Sequence, residues 1–99
     1  MVKPRLDFHP GAEADYATAF DWYFERSLSA AQNFDEDLAQ AIEHIRKNPG
    51  RWPVNLYGTR RYLLLHFPFS VVYREVHGTI QILAVAHGRR RPDYWKTRL

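Results

Sequence analysis

The sequence predicts an α+β fold of order β-α-α-β-β-β, in which a helical hairpin packs on an antiparallel sheet and a short helix closes the C-terminus. Three observations predict it. Apolar residues recur at helical spacing in two consecutive segments between Asp15 and Lys47. Three apolar, β-prone segments follow Thr59, separated by connections short enough for hairpins. Asn48-Pro49-Gly50 divides the helical part from the strands. A chain of 99 residues fits a single domain over 1–99, with one core of modest size.

Val2 to Phe8 alternates apolar and polar and reads as a short strand, with Pro4 suited to a strand start or an edge. His9-Pro10-Gly11 breaks it, and Pro10 is well placed to open a helix. From Asp15 to Leu28 a helix presents Ala17, Phe20, Phe24 and Leu28, and Trp22 and Tyr23 broaden that stripe. Ser29 and Gln32 form a potential capping box for a second helix. That helix places Phe34, Leu38, Ala41, Ile42 and Ile45 on one face, with Asp35, Glu36, Asp37 and Glu43 near or on the wet side. A tight turn between two such helices makes them an antiparallel hairpin.

Arg51 to Thr59 reads as a loop pinned by Trp52, Leu56 and Tyr57. The strands are expected at Arg60–Phe67, Ser70–Val76 and Thr79–His87, antiparallel because their connections are short. Leu63, Leu65, Val71, Tyr73, Ile80, Ile82, Leu83 and Val85 are the expected sheet contribution to the core. Pro92 to Trp95 suits one helical turn with Pro at its first position.

Composition narrows the function classes. Cysteine is absent, which excludes disulfides and thiolate metal sites. His9, His44, His66 and His77 share no ligand spacing, so no metal is expected. There is no Gly-rich phosphate loop and no cofactor motif. No charged-then-apolar leader is visible, and no apolar run approaches the ~20 residues of a membrane span. The expectation is a soluble cytoplasmic domain.

The net charge of +3 is the sum of two unequal halves. Residues 1–50 carry five basic side chains against nine acids, whereas residues 51–99 carry nine against Glu75 and Asp93 alone. Such asymmetry points the second half toward an anionic partner. Its densest part follows the last strand, where His87 precedes Gly88-Arg89-Arg90-Arg91 and Pro92-Asp93-Tyr94-Trp95. His87 suits general acid–base work near neutral pH, or equally a hydrogen bond within a turn. Guanidinium groups match phosphate and carboxylate oxygens in bidentate fashion. Arg60 and Arg61 are sent to opposite faces by strand alternation, so one of them can join this surface. Tyr94 and Trp95 can stack on bases; residues so near a terminus more often pack on their own sheet, which is the reading preferred for Trp95, while Tyr94 stays open between the two.

The strand Phe69-Ser70-Val71-Val72-Tyr73-Arg74 and the segment Ile80 to Trp95 (IQILAVAHGRRRPDYW), set in this element order, resemble the RelE/ParE superfamily of type II toxin–antitoxin toxins. The resemblance runs from Phe8 to Trp95 and is nearest the ParE-like, plasmid-stabilisation branch. It implies a small toxin held in a hetero-oligomer by a cognate antitoxin, whose C-terminal segment covers the sheet edge and the helical hairpin. ParE-like members act on DNA gyrase, and RelE-like members cut mRNA on the ribosome. The nucleases commonly carry an arginine where this chain has Ser70, which cannot stabilise phosphoryl charge as a cation does.

The resemblance therefore implies a non-enzymatic, gyrase-directed toxin. Its target-binding set is Arg60, Arg61, Arg89, Arg90, Arg91, Tyr94 and Trp95. The alternative is an mRNA endoribonuclease using His87 as acid or base, Arg89 and Arg90 on the phosphate, and Tyr94 and Arg61 in support. A third reading is a toxin relative that survives as an antitoxin-binding co-repressor.

Overall fold

The computed structural model describes residues 4–99. It contains β1 (Arg5–Phe8), α1 (Pro10–Arg26), α2 (Leu28–Lys47), β2 (Arg60–Leu63), β3 (Phe69–Val76) and β4 (Thr79–His87), with short 3₁₀ turns at Leu56–Gly58 and Lys96–Arg98. Val2 and Lys3 of the expected first strand lie outside the described residues.

The order along the sheet is β1-β4-β3-β2. β2, β3 and β4 form the expected antiparallel meander. β1 adds to β4 in parallel, with Arg5 opposite Thr79 and Phe8 opposite Ile82, so the sheet is mixed. Short loops dictate direction only between consecutive strands. β1 meets a strand some seventy residues away, and no loop constrains it.

α1 begins at Pro10, the residue suited to open it, five residues ahead of the apolar stripe expected from Asp15. Pro10 takes the first position, where its missing N–H costs nothing, and the His9 Nδ1 caps the helix by accepting from the Gly11 N–H at 2.9 Å. Ser27, with extended backbone, ends α1 and starts α2, and its Oγ accepts from the Ala30 N–H at 3.2 Å. The capping box expected at Ser29 and Gln32 therefore does not form, because Ser29 already lies inside the first turn of α2.

The buried stripe of α2 is the expected one: Phe34, Leu38, Ala41 and Ile45 are buried and Ile42 packs beside them. The stripe of α1 differs. Ala12 and Ala19 are buried, with Tyr16 and Tyr23 packed on the core, while Ala17, Trp22, Phe24 and Leu28 are exposed. Three adjacent aromatics, Trp22-Tyr23-Phe24, make two stripes equally apolar, and packing on α2 and the sheet selects the one through Tyr23. Asp37 also departs from expectation: it is buried, accepting from the His66 N–H at 2.9 Å, with the His66 ring nitrogen at 3.2 Å.

β2 is shorter than expected and faces the other way. Tyr62 and Leu64 are buried, whereas Leu63 and Leu65 are 69% and 64% exposed. The run Tyr62-Leu63-Leu64-Leu65 is apolar at every position, so alternation cannot reveal its inner face. Pairing decides it, setting Tyr62 opposite Val71 and Leu63 opposite Ser70.

The β3–β4 hairpin turns through His77 and Gly78, both at positive φ (49° and 77°), the backbone of a two-residue primed turn. Further along, Tyr73 pairs with Ile82 and Val72 with Ala84, leaving Leu83 as a bulge. The bulge shifts the side-chain alternation. Ile82 and Val85 join the core under the helices, while Leu83 and Ala84 join Val72 and Trp95 in a second cluster. Pro92 to Trp95 forms turns rather than a helical turn, and the helical geometry comes at Lys96–Arg98.

Candidate partner-binding site

β4 is nine residues long and β1 only four, so β1 leaves part of the outer edge of β4 uncovered. Side chains complete that edge at the bulge. The Val85 N–H donates to the Asp15 carboxylate at 3.2 Å, and the Leu83 carbonyl accepts from the Arg98 guanidinium at 2.9 Å. Asp15 and Arg98 also bond each other at 2.8 and 3.2 Å. The Tyr94 hydroxyl donates to the same carboxylate at 2.8 Å. One acid from α1 thus ties the C-terminal segment to the exposed strand edge, where unpaired backbone groups would be costly.

The electrostatics follow from this arrangement. Burial, and then the hydrogen bond to Asp15, push the Tyr94 phenol up. The hydrogen bond to Asp15 holds the Arg98 guanidinium above its usual value against the cost of burial. Gly11 leaves room for this group, since a Cβ at that position would displace the Arg98 guanidinium.

Beside this anchor lies a groove of about 490 Å³ between α1 and the adjoining ends of β3 and β4. Thr18, Ala19, Trp22 and Tyr23 form its helical wall. Pro68, Phe69, Val85 and His87 form the other, and Asp15 and Arg90 sit at its polar end.

The residues expected to act at this end separate into distinct groups. The His87 Nδ1 accepts from the Arg89 N–H at 3.0 Å, and its ring packs edge-on against Phe69 at 5.0 Å. This is the turn-capping alternative. Ser70, one residue from Phe69, projects from the opposite face of the sheet, so His87 and position 70 do not share a site. Arg90 stacks on the Tyr94 ring at 3.6 Å and lies 3.8 Å from Asp15. Arg91 pairs with Asp93 at 3.5 Å on the surface, a contact of little energetic weight. Arg89 is exposed and has no acidic partner among the described residues.

Two expected contact residues are used internally. Arg60 donates to the carbonyls of Trp52 and Gly50 and clamps the loop before β2. Trp95 is 3% exposed, packed against Val72, Leu83 and Ala84. That removes it from the accessible surface. Arg61 is exposed, on the sheet face away from the helices. Asp15, Thr18 and Trp22 do not stand out as site residues in the sequence: Asp15 reads there as a helix start and Trp22 as part of an apolar stripe, and only the structure places them at the groove.

The comparisons with known proteins agree with this architecture. The family described as "ParE toxin of type II toxin-antitoxin system, parDE" matches residues 6–92. The chain belongs to the ParE toxin family. Toxin ParE2 of Mycobacterium tuberculosis, in strains CDC 1551 / Oshkosh and ATCC 25618 / H37Rv, is 29% identical over 90 residues, spanning 90% of this chain and 86% of the relative. A solved structure, "Chromosomal ParDE TA system from P. aeruginosa", superposes with a TM-score of 0.75 at 22% identity, covering 86% of this chain and 96% of the other. At that identity the superposition shows the shared fold. ParE membership makes this chain the toxin of a type II toxin–antitoxin module.

Among the described residues, no group of His, Asp and Glu could hold a metal ion, and no helix is long and apolar enough to cross a membrane.

Proposed function

We propose that this ParE-family toxin inhibits DNA gyrase in the cytoplasm through the basic surface after β4, and that a cognate antitoxin neutralises it in a hetero-oligomeric complex. The family match over residues 6–92 carries the reading. The state of His87 supports a binding mode over a nucleolytic one. With Nδ1 accepting from the Arg89 N–H, the proton of the neutral ring sits on Nε2, which then cannot take one up as a general base, and among the described residues no carboxylate bonds the ring. Arg89, Arg91 and Arg61 supply exposed cationic charge for the target, and Arg90 and Tyr94 brace the segment that presents it. The groove beside α1, the exposed Leu63 of β2 and the exposed Leu65 just after it supply apolar surface for the antitoxin.

The deciding experiment runs two assays on one preparation: supercoiling by purified gyrase, and cleavage of mRNA during translation in vitro. Loss of supercoiling with intact mRNA is the expected result. Cleaved mRNA with normal supercoiling would replace this reading with a ribosome-dependent nuclease. Inactivity in both would favour a co-repressor.

A further inference from the structure

We infer that the groove seats an antitoxin segment in which an acidic side chain, held by Arg90, stands beside apolar side chains lodged against Trp22, Tyr23 and Phe69. The inference rests on the reading above that an antitoxin neutralises this toxin, and it names the chemistry by which that partner is recognised.

Charge at the polar end of the groove favours an acid. Asp15 is largely spent on the fold, since Oδ2 accepts from the Val85 N–H, the Tyr94 hydroxyl and Arg98, Oδ1 accepts from Arg98, and the Arg98 cation already neutralises its charge. Arg90 is the opposite case. At 3.8 Å from Asp15 it lies beyond hydrogen-bonding distance of that oxygen, and its side chain is 52% exposed. Its guanidinium is nonetheless oriented, since it stacks on the Tyr94 ring at 3.6 Å. A planar donor fork held in place with its hydrogen bonds unspent is a receptor for a carboxylate. His87 adds to the same polarity: its Nδ1 is taken as an acceptor, so the neutral ring offers an N–H at Nε2. The polar end presents donors and the floor is apolar, which defines an acidic–apolar guest. A volume of about 490 Å³ is within the range of sites that bury a few side chains or a small ligand.

The test uses the full-length toxin and fluorescent 15-residue peptides tiled along the antitoxin encoded in the same operon. A peptide carrying Asp or Glu among apolar residues is expected to bind. Replacing its acid by the amide, or making Arg90→Gln in the toxin, should each weaken binding about ten- to a hundredfold, the size of a lost charge-assisted hydrogen bond. The two changes together should cost no more than either alone. Arg5→Gln, on β1, should bind within twofold of wild type, and thermal melts should show that Arg90→Gln is folded.

Additive losses, or wild-type affinity in Arg90→Gln, would overturn the inference while leaving antitoxin neutralisation intact. Failure of the whole antitoxin to bind would remove both. A concentration-dependent dimer in light scattering, lost in Arg90→Gln, would assign the groove to a second copy of the toxin instead.

Discussion

The Asp15 carboxylate and the Arg98 guanidinium, 83 residues apart, meet at 2.8 and 3.2 Å and together satisfy the two backbone groups that the β4 bulge turns outward. The pair is nearly buried, so each partner depends on the other. Removing one member of such a pair strands the remaining charge, which costs about 3–5 kcal/mol at fully buried sites. Asp15→Asn is therefore expected to lower stability by roughly 3 kcal/mol in urea titrations. Amide exchange at Val85 and at Tyr94 to Leu99 should speed up with it. Asp93→Asn, which breaks only the surface pair with Arg91, should change stability by less than about 0.5 kcal/mol. Equal costs for the two variants would mean that Asp15 does not anchor the tail.

The inner face of β2 and of the residues that continue it can be tested with the two leucines just after the strand. Leu64→Ala should cost about 2–4 kcal/mol, because it empties a buried site. Leu65→Ala should stay within about 0.5 kcal/mol, since that side chain already stands in water. The reverse pattern would restore the face expected from the sequence.

Trp95 makes a similar test of the tail. Trp95→Ala should destabilise the fold by about 3–5 kcal/mol through loss of the cluster with Val72, Leu83 and Ala84. A well-folded Trp95→Ala that lost only target binding would return this residue to the contact surface.

A single serine caps both ends of the α1–α2 turn. Ser27→Ala is expected to cost about 0.5–2 kcal/mol, the usual price of a lost N-cap. Ser29→Ala should cost less, because its hydroxyl caps no backbone N–H and its one bond, to the Ser27 Oγ at 3.0 Å, is exposed. Chemical denaturation of both variants distinguishes the observed cap from the one read off the sequence.

Alkali should unfold the protein in a defined window. Burial, with a hydrogen bond to Asp35, pushes the Tyr16 phenol from 10.0 to about 12, and burial raises Tyr73 to about 12 as well. The folded state thus holds these protons more tightly than the unfolded chain. The stability they contribute is fully present below pH 10, the unfolded value, and is lost as pH rises through about 12. Urea midpoints measured between pH 9 and 12 should fall across that interval, and less steeply in Tyr73→Phe. A flat profile would exclude the linkage.

Much of the architecture was legible because local chemistry specifies it. The 3.6-residue spacing of Phe34, Leu38, Ala41 and Ile45 could serve only one helix face, and the His77-Gly78 turn and the Asn48-Pro49-Gly50 stop act over a few residues. The misread places share another property: several local solutions were equally good. Trp22-Tyr23-Phe24 offered α1 two apolar stripes, and Tyr62 to Leu65 offered β2 two apolar faces. Ser27 and Ser29 were both competent caps. The candidate site was legible in part. Arg89 to Arg91 and His87 stood out as a cluster, but Asp15 lies in the opposite half of the chain.

The sequence by itself determined the element order, the basic character of the last third and the family resemblance, because these depend on composition and on spacing within one segment. Only the tertiary structure decided that β1 runs parallel to β4, which of the leucines at and just after the end of β2 faces inward, and how the cluster after β4 divides its work. Arg60 and Trp95 are drawn into the structure, His87 caps a turn, and Arg90 is left poised above Tyr94. The reason is physical: each outcome rests on a contact between distant segments, and the Asp15–Arg98 pair exists only once α1, the bulge in β4 and the C-terminal segment have been brought together.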